Sequence, residues 1–340
     1  MATLKDIAGN LNLSVMAVSK ALRDAPDIAK NTKELVKKEA QRIGYVPNLM
    51  ARNLRGGSSG LIGVILPVLN DTYSGSLLSG LELEASARGY QLLVAASQNN
   101  GATETACVMR MIERQVEALF VLPLARVQQR SAILDAAASQ KTPLIFLHHY
   151  PAQARQYPNV AWVAADAQKG AELATAYLME LGHRDILYLS GPPASSFSAE
   201  HMTGFHRSLT RGGLNYDDGL VFLAGQDFTG GRQAMARALA EEVVFSAVLC
   251  VNDQVAIGAC EILKQQGYAI PDDVSVIGFG DGPMAANYAV PLTTIRHPQS
   301  DLARAGFNIW MQSRESRQLT GGKLMPVELI ERSSCGRKRQ

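Results

Sequence analysis

One side of a short predicted helix near the start of the chain carries Met16, Ala17 and Lys20, with Ser19 at its edge. This side combines a cation with small and apolar side chains. A helix fits the major groove of DNA, where lysine can bind phosphates or base edges and apolar groups suit the thymine methyl. Because any two short amphipathic helices show similar spacing, the spacing alone leaves a structural and a DNA-binding interpretation open.

A second set of aromatic and polar side chains lies farther along the chain, and most of its members come soon after predicted strands, whereas His201 lies in the stretch from residue 195 to residue 204. Aromatic rings can stack on the apolar face of a sugar, and Asn, Asp and His offer directed hydrogen bonds to hydroxyl groups. A lone histidine after a strand is more often structural than ligand-binding, so that alternative stays open for both histidines of the set. The candidate ligand-binding residues are Tyr73, His148, His201, Phe228, Asn252 and Asp281.

Two helices around a tight turn must position the first set. Thr3 with Asp6 forms a capping-box pattern that favours a helix from residue 4 to about residue 10. Ser14 can cap a second helix over residues 15–22. Each helix has one apolar stripe, so the two can bury these stripes against each other while the far side of the second helix stays free.

A third helix is predicted from about residue 30 to residue 43. Leu35, Val36, Ala40 and Ile43 fall on one face of it, and Gly44 suits a left-handed cap at its end. Three short helices of this kind make a small all-α domain.

The sequence GYVPNLMARNLRGG begins at Gly44. Together with TLKDIA, the turn, SVMAVSKAL and the third helix, it resembles the LacI/GalR family of bacterial transcription regulators, and the match continues to the end of the chain. The resemblance implies a DNA-binding headpiece over residues 1–47, a hinge helix and linker over residues 48–60, and an effector-binding and dimerisation domain over residues 61–340. The DNA-binding positions are expected at Thr3, Ser14, Val15, Met16, Ala17, Ser19, Lys20, Asn31, Tyr45, Asn48, Ala51 and Leu54.

Residues 48–54 could form two helical turns, with Ala51 and Leu54 on a shared side. Alone, such a segment is too short to be a stable helix in water. The resemblance implies a hinge helix that folds when paired with its dimer mate in the minor groove, where Leu54 would wedge between base steps. A plain flexible tether is the alternative.

From Leu61 onward, apolar runs alternate with amphipathic stretches, which predicts buried parallel strands joined by helices. Two doubly wound, Rossmann-like α/β halves are the economical interpretation, and the resemblance implies a periplasmic-binding-protein-like core. We expect an N-subdomain at about residues 61–163 plus 294–321 and a C-subdomain at about residues 164–293 plus 322–332. Ligands bind beyond the carboxyl ends of such strands, so the cleft between the halves is the expected effector site.

Charge is distributed unevenly along the 340 residues. Residues 1–58 contain ten Lys and Arg against five Asp and Glu, although the whole chain carries only +2. Such a surplus attracts phosphates, but basic surfaces are common.

The four cysteines form no CxxC pair, so neither a metal site nor a disulfide framework is expected, and nothing calls for a cofactor. The chain shows no signal segment and no run of about eighteen apolar residues, so we expect a cytoplasmic protein without membrane association.

The effector is expected to be a sugar acid or a neutral sugar, and the sugar acid is narrowly favoured. Gly280 and Asp281 stand in GFGD, where the family usually has GFDD, and His201 stands where it usually has an arginine. Loss of a carboxylate at Gly280 would remove repulsion toward an anion, although loop geometry explains the glycine equally well. In the headpiece Lys20 replaces the usual arginine, which puts a bidentate guanine contact in doubt.

Two other classes of protein are disfavoured. A periplasmic solute-binding protein would carry a signal segment and would not explain residues 1–58. An enzyme would need chemistry that the sequence does not show, because it contains no GxxxxGK[ST] loop, no GxGxxG after the first strand and no GxSxG elbow. We therefore expect a repressor of a carbohydrate or sugar-acid operon that binds a palindromic operator as a homodimer, without a tetramerising tail, under the control of a small-molecule effector.

Overall fold

The computed structural model describes residues 2–45, 58–124, 130–297, 299–316, 319 and 321–339. The chain divides into two compact units, Met1–Ser59 and Gly60–Gln340. The predictions for Asn48, Ala51, Leu54 and the hinge helix lie outside the described residues.

The described residues of the first unit form three helices: α1 Leu4–Leu11, α2 Val15–Leu22 and α3 Lys30–Arg42. Both predicted N-caps are confirmed. The Thr3 hydroxyl accepts a hydrogen bond from the Asp6 amide while the Asp6 carboxylate accepts one from the Thr3 amide, and the Ser14 hydroxyl accepts from the Ala17 amide. Gly44 has φ of +67°, as expected for a left-handed helix end.

A small apolar core holds these helices together. Ile7 and Val18 meet Val36 in this core with no exposed surface. Leu35 was predicted to share the buried face of α3, but its side chain is 57% exposed. The prediction was wrong because α3 packs along a narrow stripe through Val36 and Ala40, one residue farther along the helix.

The second unit contains two six-stranded sheets with helices on their faces. Its strands are β1 Leu61–Leu66, β2 Gln91–Ala96, β3 Leu119–Val121, β4 Leu144–Leu147, β5 Val160–Ala165, β6 Ile186–Ser190, β7 Val221–Leu223, β8 Ala247–Cys250, β9 Ser275–Gly280, β10 Thr293–Arg296, β11 Gly322–Met325 and β12 Glu328–Ile330. Its α-helices are α4 Thr72–Ser86, α5 Gly101–Glu113, α6 Arg130–Ser139, α7 Ala167–Glu180, α8 Ser196–Arg211, α9 Phe228–Ala240, α10 Asp253–Gln265, α11 Pro283–Asn287 and α12 Gln299–Ser316.

The first sheet has the order β11-β5-β4-β3-β1-β2 and the second has the order β12-β10-β9-β8-β6-β7. All pairs are parallel except that of β10 with β12. The central strands consist largely of buried apolar residues, as parallel strands covered on both faces require. The two doubly wound halves predicted from the sequence are therefore present.

The subdomain boundaries differ from the prediction at two strands. β10 pairs with β9 in the second sheet, although residues 294–296 were assigned to the first half. β11 pairs with β5 in the first sheet, although residues 322–325 were assigned to the second half. The chain therefore crosses between the halves after β5, after β10 and after β11, and α12 returns to the first half, where Leu302, Phe307 and Trp310 are buried.

Candidate functional site

The free side of α2 is exposed within the first unit. The Met16 side chain is 70% exposed and that of Val15 is 39% exposed, whereas Ala17 and Ser19 are half-buried. The Lys20 ammonium forms an ion pair with the Asp27 carboxylate at 2.5 Å. This side of α2 therefore offers apolar contact and one cation that is already engaged.

The other predicted DNA-binding residues of the headpiece have structural contacts of their own. The hydroxyls of Thr3 and Ser14 cap their helices. Asn31 is exposed in the first turn of α3. Tyr45 packs against the headpiece core, and its amide donates a hydrogen bond to the Ala40 carbonyl at 2.8 Å.

A cavity of about 620 Å³ lies within the second unit, at the carboxyl ends of strands from both sheets. The loops after β1, β2, β3 and β4 supply one wall, those after β6, β7, β8 and β9 the other, and the crossover after β10 adds His297 and Gln299. The lining is formed by Pro67, Val68, Asp71, Thr72, Tyr73, Ser74, Ser76, Asn99, Leu122, Pro123, Leu124, His148, His149, Pro192, Phe197, Gln226, Asp227, Val251, Asn252, Asp253, Gln254, Ile257, Phe279, Gly280, Gly282, Pro283, Met284, Ala285, His297 and Gln299.

Five rings of this lining form a continuous aromatic wall, which consists of Tyr73, His148, Phe197, Phe279 and His297. The His148 ring lies 4.8 Å from Tyr73, 4.6 Å from Phe197 and 5.8 Å from His297, measured between ring centroids. Phe279 joins the wall at 5.3 Å from His297 and 5.0 Å from Phe197. Rings from both halves and from the crossover therefore meet at the cavity.

Three polar atoms of the aromatic wall are buried without a hydrogen-bond partner. They are the Tyr73 hydroxyl, Nδ1 of His148 and Nδ1 of His297. Buried polar atoms are nearly always hydrogen-bonded, so three unpartnered atoms on residues that line one cavity mark this wall as a candidate ligand site. Tyr73 and His148 were predicted from the sequence, but His297 was not, because it follows β10, whose residues were assigned to the wrong half.

Burial keeps these groups uncharged. It raises the pKa of Tyr73 well above its ordinary value and, with the neighbouring His149 and His297, holds that of His148 well below its own. Burial also lowers the pKa of His297 to about 4. Both imidazoles are therefore neutral near pH 7.

Asn252 lines the cavity, but its amide is engaged at the start of α10. Its Oδ1 accepts a hydrogen bond from the Val255 amide at 2.8 Å, and its Nδ2 donates to the Gln226 carbonyl at 2.9 Å. Its cap role could have been predicted from its position before the helix.

Three predicted ligand-binding residues lie outside the cavity lining. His201 is fully buried in α8, behind Phe197 and Phe279, and its Nδ1 lies 2.8 Å from the Tyr188 hydroxyl. Phe228 is half-buried at the start of α9, with the Arg232 guanidinium over its ring. The Asp281 carboxylate is held at 2.5 Å by both Arg296 and Arg332, which turn it away from a ligand.

Backbone geometry accounts for Gly280. Its φ is +135°, and an added Cβ would lie 3.1 Å from the Asp253 carboxylate. Of the two explanations left open for this glycine, loop geometry is the one that these observations favour.

Three carboxylates line the cavity. Asp71 caps α4 and accepts hydrogen bonds from the amide and the hydroxyl of Ser74, and Asp227 caps α9 by accepting from the Gly230 amide. Asp253 accepts hydrogen bonds from the Thr294 hydroxyl and the Gly282 amide. Burial raises the pKa of Asp253 to about 6, although these two hydrogen bonds oppose the rise. No lysine or arginine occurs among the lining residues that the structure describes.

The described residues contain neither a metal-binding cluster nor a membrane-spanning helix. Within them, no group of three or more His, Cys, Asp and Glu could hold a metal ion. Across the same residues, no helix has the length and apolar character needed to cross a membrane.

A first unit whose described residues form three helices, with one side of the second helix exposed, and a second unit with two sheets and a cavity together indicate a DNA-binding regulator with a ligand-binding core. Family comparisons agree: the model for bacterial regulatory proteins of the lacI family matches residues 3–48, and the model for the periplasmic binding protein-like domain matches residues 175–335. The chain belongs to the LacI/GalR family of bacterial transcription regulators.

Individual relatives match along nearly the whole chain. The HTH-type transcriptional repressor CytR of Escherichia coli strain K12 is 28% identical over 98% of this chain and 96% of its own. The HTH-type transcriptional regulator GalR of the same strain is 28% identical over 94% of this chain and 91% of its own. A crystal structure of the Lac repressor dimer bound to operator and the anti-inducer ONPF superposes with a TM-score of 0.88. The sequences are 26% identical, and the match covers 98% of this chain and 99% of that one. These relatives are transcription regulators and not enzymes, which agrees with the expectation from the sequence.

Proposed function

We propose that this protein is a cytoplasmic repressor that binds a palindromic operator as a homodimer and responds to a small molecule in the cavity between its two sheets. The similar Lac repressor is described as a dimer bound to operator. The observation that carries the proposal for this chain is the exposed side of α2, where Met16 protrudes beside Lys20. Repression of a carbohydrate operon is the corresponding biological role.

DNA contacts divide by chemistry between the proposed residues. Met16, Val15 and Ala17 supply apolar contact to base edges, while Lys20 and the exposed Asn31 supply polar contact. Thr3, Ser14, Ser19 and Tyr45 stand where backbone contacts would fix the orientation of the headpiece. The proposed hinge residues Asn48, Ala51 and Leu54 act in the minor groove, with Leu54 as the wedge.

The test begins with selection of DNA from a random library by the purified chain, followed by affinity measurement on the enriched sequence. Lys20→Ala and Met16→Ala should each weaken binding, since a base-edge contact contributes roughly 1–3 kcal/mol. Leu35→Ala is the matched control for Met16→Ala, because it shortens an exposed apolar side chain on α3. Leu54→Ala should lower affinity for the enriched site and reduce its bending.

Three results would contradict the proposal. Failure to enrich any palindromic sequence would remove the operator, and equal affinity of the parent and Met16→Ala would remove the role of α2. Sedimentation of a stable tetramer without DNA would contradict the dimer.

A further inference from the structure

We propose that the ligand of this cavity is uncharged, with one flat apolar face and at least two hydrogen-bonding groups. This inference rests on the proposed effector-binding function and narrows the class of ligand. It replaces the preference for a sugar acid, which depended on Gly280 rather than on the groups that surround the cavity.

Charge around the cavity disfavours an anion. Asp71, Asp227 and Asp253 line it, and the described lining contains no lysine or arginine to balance them. The imidazoles of His148 and His297 add no positive charge near neutral pH, since burial lowers the pKa of both. An anion would therefore lose its hydration and meet carboxylates without a described cation in return.

Helix N-termini are the usual alternative source of positive potential, and α4, α9 and α10 all begin at the cavity. Each of these ends is already capped by a side chain of the protein itself: Asp71, Asp227 and Asn252 accept hydrogen bonds from the first-turn amides. Two of the three caps are carboxylates, so an anionic ligand would compete with a charge that the helix end already holds.

The same bonds disfavour a cation. Both carboxylate oxygens of Asp71 are engaged by Ser74, and both oxygens of Asp253 are engaged by Thr294 and Gly282. A cationic ligand would have to share these oxygens with the donors that already draw on their negative charge. A neutral ligand leaves all of these hydrogen bonds in place.

The aromatic wall defines what the neutral ligand must present. Phe197 and Phe279 line the cavity but are only 4% and 2% exposed, so a flat face would pack mainly against the half-buried rings of Tyr73 and His148 beside them. The orphan atoms of Tyr73, His148 and His297 lie in the same wall and require partners. Tyrosine can donate or accept and each neutral imidazole Nδ1 can do either according to its tautomer, so ligand hydroxyl or amide groups satisfy them without charge.

The test uses matched neutral and anionic probes on the full-length protein. The pairs are glucose with gluconate, glucose with glucose 6-phosphate, ribose with ribose 5-phosphate, and uridine with uridine 5′-monophosphate. Thermal shift identifies any probe that stabilises the protein, and calorimetry gives its Kd. We expect stabilisation by a neutral member, with its anionic partner at least tenfold weaker. An anionic probe that binds while its neutral partner does not would overturn the proposal, as would a panel in which no neutral probe stabilises the protein.

Two substitutions test the physical cause. Asp227→Asn removes a cavity charge while keeping a cap oxygen, and it should reduce the discrimination against the anionic partner several-fold. Asp217→Asn makes the same change at an exposed cap that lies outside the cavity lining, and it should leave the discrimination at the parental value. Equal discrimination in the two variants would show that Asp227 does not set it.

Tyr73→Phe tests the orphan hydroxyl. It should weaken the neutral probe at least tenfold while leaving the Tm of the unliganded protein equal or higher, because it removes a buried hydroxyl without a partner. Undiminished affinity would overturn the assignment of this atom to the ligand. DNA binding separates failure of this inference from failure of the proposed function. A protein that enriches no operator would contradict the proposed function. An anion-selective protein that still binds its operator would refute only the inference about charge.

Discussion

Lys20, a proposed DNA-binding residue of the headpiece, already forms an ion pair within the protein. Its ammonium pairs with Asp27, a residue in the loop between α2 and α3. The Lys20 and Asp27 side chains are 39% and 53% exposed, and ion pairs this open to solvent contribute little to stability. Transfer of Lys20 from Asp27 to a DNA phosphate therefore costs little, but Asp27 remains as a nearby negative charge.

We expect Asp27→Asn to raise affinity for the selected operator several-fold at low salt, because it frees Lys20 and removes repulsion toward phosphates. Asp24→Asn is the matched control, since Asp24 pairs with Lys37 of α3 instead. Affinities measured over a series of salt concentrations should show the larger gain for Asp27→Asn. The same gain in both variants would assign the effect to net charge alone.

Deeply buried histidines, among them His148, His201 and His297, give the core a pH dependence with a definite sign. Burial lowers the pKa of His201 to about 3 and that of His297 to about 4, against 6.5 for an unfolded histidine. The unfolded chain therefore takes up protons first, so the stability that these groups contribute is present above pH 6.5 and is lost as the pH falls toward 4. Asp253 opposes this trend, because its raised pKa keeps a proton in the folded state below about pH 6.

The free energy of unfolding should accordingly fall between pH 7 and pH 5. The fall is roughly 2 kcal/mol for each such imidazole, before the opposing contribution of Asp253 is included. Denaturant titrations at several pH values measure it. His201→Gln should flatten the dependence, whereas His206→Gln changes an exposed histidine, leaves the buried imidazoles in place and is the control. A pH dependence unchanged in His201→Gln would contradict the assignment.

At the scale of the elements, local patterns predicted helices and strands well and their partners less well. Capping residues are read from three or four neighbouring positions, which is why Thr3 and Ser14 were identified correctly. Sheet membership depends on pairing between strands far apart in sequence, so β10 and β11 were exchanged between halves. The burial of His201 behind Phe197 and Phe279 depends likewise on tertiary packing, which no local pattern records.

The cap of α10 predicts the behaviour of a cavity variant. Asn252→Ala removes both the bond to the Val255 amide and the bond to the Gln226 carbonyl, so it should lower the free energy of unfolding by about 1 kcal/mol or more. Asn252→Ser keeps an acceptor at the cap and should recover much of that loss. Thermal and denaturant unfolding of both variants decide the matter, and equal stability of the two would mean that the cap oxygen contributes nothing.

The second unit as a whole is closed by contacts between its halves on the outer side of the cavity. Tyr150 follows β4 of the first half, and its amide donates to the Ser196 hydroxyl at 3.1 Å while its own hydroxyl lies 3.3 Å from the Glu200 carboxylate, both in α8 of the second half. Its ring stacks on Trp162 at 3.9 Å, and Arg155 donates to its hydroxyl at 3.0 Å. The residues beside this junction, His149 and Phe197, line the cavity, so closure and ligand contact involve the same two segments.

Tyr150→Phe should therefore weaken ligand binding while leaving the fold intact. It keeps the ring on Trp162 but removes the hydroxyl that joins Arg155 to Glu200 across the two halves, which lowers the fraction of closed molecules. Because apparent affinity scales with the competent fraction, the Kd of a neutral probe that stabilises the parent should rise several-fold. Tyr157→Phe is the matched control, since that hydroxyl bonds to Asp135 within the first half. Calorimetry gives the Kd of the probe, and small-angle X-ray scattering gives the radius of gyration of each unliganded variant. If Tyr150→Phe matched the control in both quantities, the closure role would be contradicted.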